Sequence, residues 1–368
     1  MENRPIRVLH LSSEASWRGG EQQIIYLVEE SRKLGVDAIV CCRDGSEVHR
    51  YCVAHHIPCE PVPFRSAYDW RTAWKIKRIC KRLHIDLIQT HTSKSHTLAV
   101  IAGVFGLNVP QIMTRRVDFP VKDNWFSRFK YNYSKIARII CISQTILEMT
   151  EKDIRDKQKL LCIHSGVDMD RFSEFAQSDW LRQEYQKSAD TFIIGNTSAI
   201  SDQKDYYTFV NVAERILRVR TDVHFFIVGD GPEREQIAAY VSEKGLADRI
   251  TLTGFSKNIR EILPSFDIFL FTSKTEGLGT SVLDAMVAGV PIVTTAAGGV
   301  PEMIRHEENG LMYQVKDEEG LTAGVLRMMN GPQLAKRLAD MARETVKEFS
   351  KEKTAASTVE VYKEIVRR

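Results

Sequence analysis

Long apolar runs are missing from this chain. None approaches the ~20 residues that a membrane-spanning helix needs, and the amino-terminal MENRPIRVLHLSS carries no apolar core of the signal-peptide kind. Charge of one sign is scarce as well. The 51 basic and 48 acidic side chains leave a net +3, too little to point to nucleic acid as a partner. All seven cysteines lie between Cys41 and Cys162 and the second half has none. An odd number so placed, with no metal-type pair spacing, argues against a disulfide framework and for reduced thiols in a cytosolic compartment. There is no low-complexity segment and no short-period repeat. The GxGxxG fingerprint is absent too, which counts against a dinucleotide cofactor. The one Asp-x-Asp, Asp168 and Asp170, falls in a stretch read below as the start of a second domain. No metal and no cofactor is therefore expected.

What is present is alternation. Short apolar runs such as IRVLHLSS (6–13), DAIVCC (37–42), IDLIQTH (85–91), PQIMTR and RIICIS read as buried strands. Between them GGEQQIIYLVEESRKLG, DWRTAWKIKRICKRLH, HTLAVIAGVFG and NWFSRFKYNYSKIA have helical spacing. The register restarts near Asp168, after KLLCIHSG, with SEFAQSDWLRQEYQKSAD read as a polar helix that ends the first series. TFIIGNTS, VHFFIVGD, ITLTG, DIFLFTS and PIVTT then alternate with helical segments, and the tail from EEGLTAGVLRMMN onward is helical. Strands separated by helices of this length mean βαβ units and a parallel sheet. The expected fold is therefore α/β, with two doubly wound Rossmann-like domains facing across a cleft, at residues 1–168 and 169–348. Residues 349–368 are expected as a helix returning to the first domain. Doubly wound sheets bind ligands beyond the carboxyl ends of their strands.

One stretch stands out, TSKTEGLGTSVLDAMVAGVPIVTT at 272–295. Glu276 follows a buried strand, Gly277 and Gly279 let the backbone approach a ligand, and Thr280 and Ser281 open a helix whose amino end suits a phosphate. Asp284 lies one turn further on the same face. Each carboxylate can accept hydrogen bonds from a polyhydroxyl group, so the stretch reads as sugar, pyrophosphate, ribose. The competing reading is a helix cap with a solvated carboxylate.

The run EGLGTSVLDAMVAGVPIVTTAAGGVPEMI resembles the donor-site signature of the retaining glycosyltransferases of family 4, which have the two-domain GT-B fold. VGDGPEREQI (228–237) resembles the family's GxGPxR turn, LTGF (252–255) its base-side loop, HSGVDMDRF (164–172) its lead into the second domain, and GGEQQ (19–23) its Gly-Gly loop. The resemblance covers most of the chain. It departs at Asp284, where the family usually has a second Glu, and at Ala199, where an Arg usually precedes the Lys matched by Lys204; the usual Gly after that Lys is Asp205 here.

The resemblance implies transfer of a sugar from a nucleotide-diphosphate donor, UDP-sugar favoured, to a hydroxyl of a glycan or glycolipid acceptor, in cell-surface polysaccharide or lipopolysaccharide synthesis. Glu276, Lys204 and His91 are the expected catalytic residues. Donor contacts are expected from Gly19, Gly20, Lys204, Gly229, Gly231, Phe255, Glu276, Gly277, Leu278, Gly279, Thr280, Ser281 and Asp284. His91 and Lys94, in QTHTSKSH, and Arg115 and Arg116, in MTRRVDFP, are expected on the acceptor side; an ion pair with Asp118 is the other reading of the arginines. The alternatives in function are a nucleotide-sugar epimerase of the same architecture and a non-catalytic nucleotide-sugar-binding relative. The expected location is the cytoplasm. Trp70 and Trp74 among the basic residues of DWRTAWKIKRICKRLH suggest peripheral contact with an anionic membrane at the inner face of the plasma membrane. Its apolar stripe Ile76, Ile79, Cys80 and Leu83 favours instead a sheet-covering helix with a solvated basic face.

Overall fold

The structure, a computed structural model, describes residues 4–121, 123–175 and 178–367. The chain divides into two compact units, Met1–Gly166 with Lys351–Arg368, and Val167–Ser350.

The first unit alternates strand and helix from its start. In order these are β1 Arg7–Ser12, α1 Gly19–Lys33, β2 Asp37–Arg43, α2 Glu47–Ala54, β3 Cys59–Val62, α3 Trp70–Arg82, β4 Leu87–Thr90, α4 Ser93–Val104, β5 Gln111–Arg115, α5 Trp125–Tyr131, β6 Ile136–Cys141, α6 Gln144–Glu151 and β7 Leu160–Cys162. The sheet has the order β3-β2-β1-β4-β5-β6-β7 and every pairing is parallel. Both faces are covered, so its strands are apolar throughout. Val8, Val40 and Leu87 pack on one side, and Leu9, Leu11, Ile39 and Ile88 on the other. The α2 and β3 elements lie in a stretch where periodicity gave no signal. β3 is a four-residue edge strand that holds Pro61, which an edge tolerates and an interior strand does not.

The second unit contains α7 Trp180–Glu184, β8 Phe192–Thr197, α8 Tyr206–Leu217, β9 Val223–Val228, α9 Arg234–Glu243, β10 Ile250–Gly254, α10 Ile259–Ile262, β11 Ile268–Phe271, α11 Thr280–Ala288, β12 Ile292–Thr295, β13 Leu311–Tyr313, α12 Glu318–Asn330 and α13 Pro332–Thr345. Its sheet is parallel too, in the order β10-β9-β8-β11-β12-β13. Two readings of the sequence change here. The long polar helix expected from SEFAQSDWLRQEYQKSAD is a five-residue helix within this unit, with Leu181 buried; Ala176 and Gln177 lie outside the described residues. The three-residue strand β13 was not legible, because three residues carry no period.

The chain then returns to the first unit as α14, Lys351–Arg367. Val359, Val361 and Tyr362 join the core that holds Val8, Ile24 and Leu87. The Tyr362 hydroxyl donates to Gln89 Oε1 beneath that core. Both are doubly wound α/β sheets whose strand order reverses beside their first strand, between β1 and β4 in one and between β8 and β11 in the other.

Candidate active site

In the second unit, the loops after β8 and β11 flank that reversal, where open α/β sheets receive ligands. The first loop carries Lys204 and the second Glu276. Thr272 Oγ1 donates to the carbonyls of Lys204 at 3.2 Å and Asp205 at 3.1 Å, which ties the two loops together. The Lys204 ammonium donates to Glu276 Oε1, and Ser273 Oγ donates to the same oxygen at 2.7 Å. Both ends of the pair are mostly buried, with side chains 18 % and 9 % exposed. Asp205, where the related motif has Gly, adopts φ +47 and caps α8 by accepting from Thr208. A short polar side chain with local hydrogen bonds tolerates that left-handed backbone.

Glycines let the surrounding loops close on one another. A Cβ on Gly229 would lie 2.0 Å from the Ser198 carbonyl oxygen, and one on Gly231 would lie 2.2 Å from that of Ile200. Gly298, at φ +51, passes so close to Glu276 that a Cβ would meet its carbonyl oxygen at 1.9 Å. Ala199 is exposed on the Ser198–Ile200 turn. The neighbouring cations already have partners. Lys274 donates to Asp202 at 2.6 Å, and Arg234 lies 4.0 Å from Asp230.

The helix α11 begins at Gly279, φ +93, with no side chain capping it. Val282 N donates to the Gly279 carbonyl at 2.9 Å, and no side chain caps the Thr280 and Ser281 amides ahead of it, which suits an anionic ligand. Thr280 and Ser281 are half-buried at this end, and Ser281 Oγ is 3.4 Å from Ser198 Oγ. Gly277 is half-buried in the approach to it. Leu278 is buried, backbone included. Phe255, just past β10, is 68 % exposed and offers a free ring face. Asp284 is held by Arg171, whose Nη1 donates to both carboxylate oxygens at 2.8 Å. Burial pushes the Asp284 carboxyl up, and the Arg171 guanidinium opposes that. Arg171 lies in HSGVDMDRF, but nothing in that stretch marks it as the partner of Asp284. The two residues are 113 positions apart, and no local spacing reports such a pair.

The expected acceptor-side residues occupy the corresponding edge of the first unit. Gly19 and Gly20 are the first two residues of α1, rather than a loop before it, and Arg116 packs beside Gly20. Burial lowers the Arg116 guanidinium to about 10, while Glu21 pulls it back up. His91 is buried against His10, with Nε2 3.1 Å from His10 Nδ1 and the rings stacked. Burial, then His10 and Arg116, hold His91 well below its ordinary range, so it is neutral. Lys94 is half-buried in the first turn of α4. Arg115 makes no ion pair with Asp118. It donates to the Tyr131 hydroxyl at 2.8 Å and to the Phe119 carbonyl. The Asp168–Asp170 stretch closes on itself, with Asp170 N donating to Asp168 Oδ1 at 3.1 Å.

The family profile described as Glycosyl transferases group 1 matches residues 177–345, and that described as Glycosyltransferase Family 4 matches residues 17–171. The chain is 30% identical over 347 residues to the lipopolysaccharide core biosynthesis glycosyltransferase LpsD of Rhizobium meliloti, a match covering 94% of each. The chain belongs to glycosyltransferase family 4. A second relative of this glycosyltransferase is the N-acetyl-alpha-D-glucosaminyl L-malate synthase of Bacillus anthracis, 25% identical over 82% of this chain and 80% of that one. Among solved structures, Anabaena HepE in complex with UDP-glucose shares the fold, with a TM-score of 0.85, 20% identity, and coverage of 98% of this chain and 100% of that one. The two halves of the glycosyltransferase thus carry separate family matches, one on each sheet.

Proposed function

We propose that this glycosyltransferase moves a sugar from a UDP-sugar to a hydroxyl of a glycan or glycolipid acceptor, with retention at the anomeric carbon. The observation that carries the reading is the Lys204–Glu276 pair at the strand-order reversal of the second unit, beside the uncapped amino end of α11. The α11 amides and the Lys204 ammonium stabilise the charge that develops on the leaving diphosphate, the dominant demand of such a transfer. Glu276 orients donor hydroxyls with its second oxygen. Asp284, steadied by Arg171, keeps lone pairs for a ribose diol, and Phe255 stacks on the base. The leaving phosphate helps to deprotonate the acceptor. Neither metal nor cofactor takes part. Support for UDP as the nucleotide comes from the HepE complex, and for a lipopolysaccharide or polysaccharide setting from LpsD. Work at the cytoplasmic face of the membrane fits α3. Its Trp70 and Trp74 are exposed, with Arg71 and Arg78 lying over the two rings, while Ala73, Ile76 and Ile79 pack inward.

The test is a thermal-shift screen with UDP, GDP and ADP on the wild type and on Glu276→Ala and Asp284→Ala, followed by UDP release with and without a lipopolysaccharide acceptor. A ligand that binds the folded state raises its Tm. A shift with UDP, weakened in both variants, and acceptor-dependent release are expected. Release without an acceptor requirement would favour the epimerase, and no shift with any nucleotide would overturn the reading.

A further inference from the structure

Among the described residues, the first unit buries two cations side by side with no acid paired to either. Lys130 is 6 % exposed and Arg115 4 %. They share the ring of Tyr131, which lies 5.2 Å from Lys130 Nζ and 5.6 Å from the Arg115 guanidinium carbon. Arg115 spends its two terminal nitrogens on the Tyr131 hydroxyl and the Phe119 carbonyl, and its buried Nε has no partner. Lys130 Nζ donates to two hydroxyls, Ser93 Oγ at 3.2 Å and Thr97 Oγ1 at 3.3 Å. Among the described residues no carboxylate pairs with either cation. His96 stands edge-on to Tyr131 at 5.4 Å and is kept neutral by burial, so it adds no charge.

A buried ammonium without a counter-charge is costly, and proteins ordinarily pair it. Here burial and the neighbouring Arg115 drive the Lys130 ammonium down to about 8. The cluster has a way out to solvent. Ser93 is the exposed first residue of the twelve-residue α4, whose dipole favours an anion at that end. Thr97 Oγ1 donates to the Ser93 carbonyl at 2.9 Å and so serves Lys130 as an acceptor. Ser93 Oγ accepts from Lys130 and keeps its own proton to donate outward. The buried Lys130 ammonium thus meets the exposed Ser93 hydroxyl at the amino end of α4, where Thr92 already takes the Ser95 amide and leaves those of Ser93 and Lys94 uncapped by a side chain.

We propose that the Ser93–Thr97–Lys130 cluster, backed by Arg115, is a seat for a phosphate group carried by the acceptor. The role of acceptor rests on the glycosyltransferase reading above; the binding of phosphate does not. The bland counterpart is a strut, in which Lys130 merely ties α5 to α4 through two hydroxyls.

The experiment is calorimetric titration of inorganic phosphate at constant ionic strength, with UDP saturating so that the donor diphosphate site is filled. The proteins are the wild type, Lys130→Met and Ser93→Ala, the last an exposed change that leaves the fold intact. One phosphate per wild-type chain is expected, bound about tenfold or more weakly by Lys130→Met, since a charge-assisted hydrogen bond is lost. Ser93→Ala weakens it several-fold. The Tm of Lys130→Met is expected to equal or exceed that of the wild type, because an unpaired buried charge is gone. The UDP-induced Tm shift stays the same in both variants. Phosphatidylglycerol vesicles separate the sources. If co-sedimentation falls for Lys130→Met the phosphate is lipid-borne, and if only inorganic phosphate binding falls it belongs to a water-soluble acceptor. No phosphate binding by the wild type, or equal binding by all three proteins, overturns the seat. A Tm loss of several degrees with binding untouched marks Lys130 as a strut and overturns it too. A wild type that binds phosphate but shows no UDP shift sinks the donor reading and leaves the seat standing.

Discussion

At the scale of single residues, the proposed donor site is built from charges that neutralise one another before any substrate arrives. Lys204 and Glu276 are mostly buried, so removing one leaves the other without its counter-charge. Glu276→Gln keeps the shape and the Ser273 contact. It is expected to lower kcat/KM by about 100-fold and stability by about 1–2 kcal/mol. The double variant Lys204→Met with Glu276→Gln is expected to regain most of that stability and none of the activity, which chemical denaturation and initial rates will read. Lys130 makes a pH prediction. Its folded-state value near 8 lies below the ordinary 10.5, so the unfolded chain binds more protons between those two pH values. Stability must therefore rise with pH across that window as the buried ammonium discharges. Arg115 is the charged group facing it, and burial raises the Tyr131 hydroxyl above its ordinary value. The wild type is expected to gain on Lys130→Met from pH 8 to pH 10.5, by at most about 3 kcal/mol, in Tm scans run in parallel. A constant difference across the window would refute the assignment.

At the scale of elements, two features hold the working loops in place. The loop after β12 touches the Glu276 loop through Gly298, which has φ +51 and no room for a Cβ. Gly298→Ala is expected to cost about 2 kcal/mol through backbone strain and to abolish the UDP shift, because Glu276 must move. An unchanged UDP shift would show that Glu276 does not touch the donor. The other feature is α14, which brings Val359, Val361 and Tyr362 into the core of the first unit. Tyr362→Phe leaves the buried Gln89 Oε1 without its donor, and a loss of about 1–3 kcal/mol is expected in urea denaturation.

At the scale of the whole molecule, each unit has its own sheet and its own core, and the second is continuous in sequence. A fragment of residues 167–350 is expected to fold and to keep a UDP-dependent Tm shift, since Lys204, Phe255, Glu276 and α11 all lie within it. A fragment of residues 1–166 is expected to aggregate, because its core lacks the face of α14. Circular dichroism and thermal shift on the two fragments decide this. Turnover of the whole enzyme is expected to be indifferent to EDTA, as no metal is assigned a role in the transfer.

Much of this was legible in the linear chain, for a physical reason. A strand buried on both faces is apolar throughout, and a covering helix repeats every 3.6 residues, so IRVLHLSS, DIFLFTS and the helices between announced two parallel sheets from local pattern alone. The loop after β11 was legible for the same kind of reason, since a strand end, two glycines, two hydroxyls and a helix start are contiguous in sequence. Elements too short to show a period escaped, as α7, β3 and β13 did. So did every partnership made across the fold. Lys204 with Glu276, Arg171 with Asp284 and Lys130 with Ser93 join positions 72, 113 and 37 residues apart. The sequence by itself determined which residue types stand at the ends of the strands. Only the tertiary structure decided which charges neutralise one another and which, at Arg115 and Lys130, meet no carboxylate among the described residues, because charge pairing depends on distance in space and not on spacing along the chain.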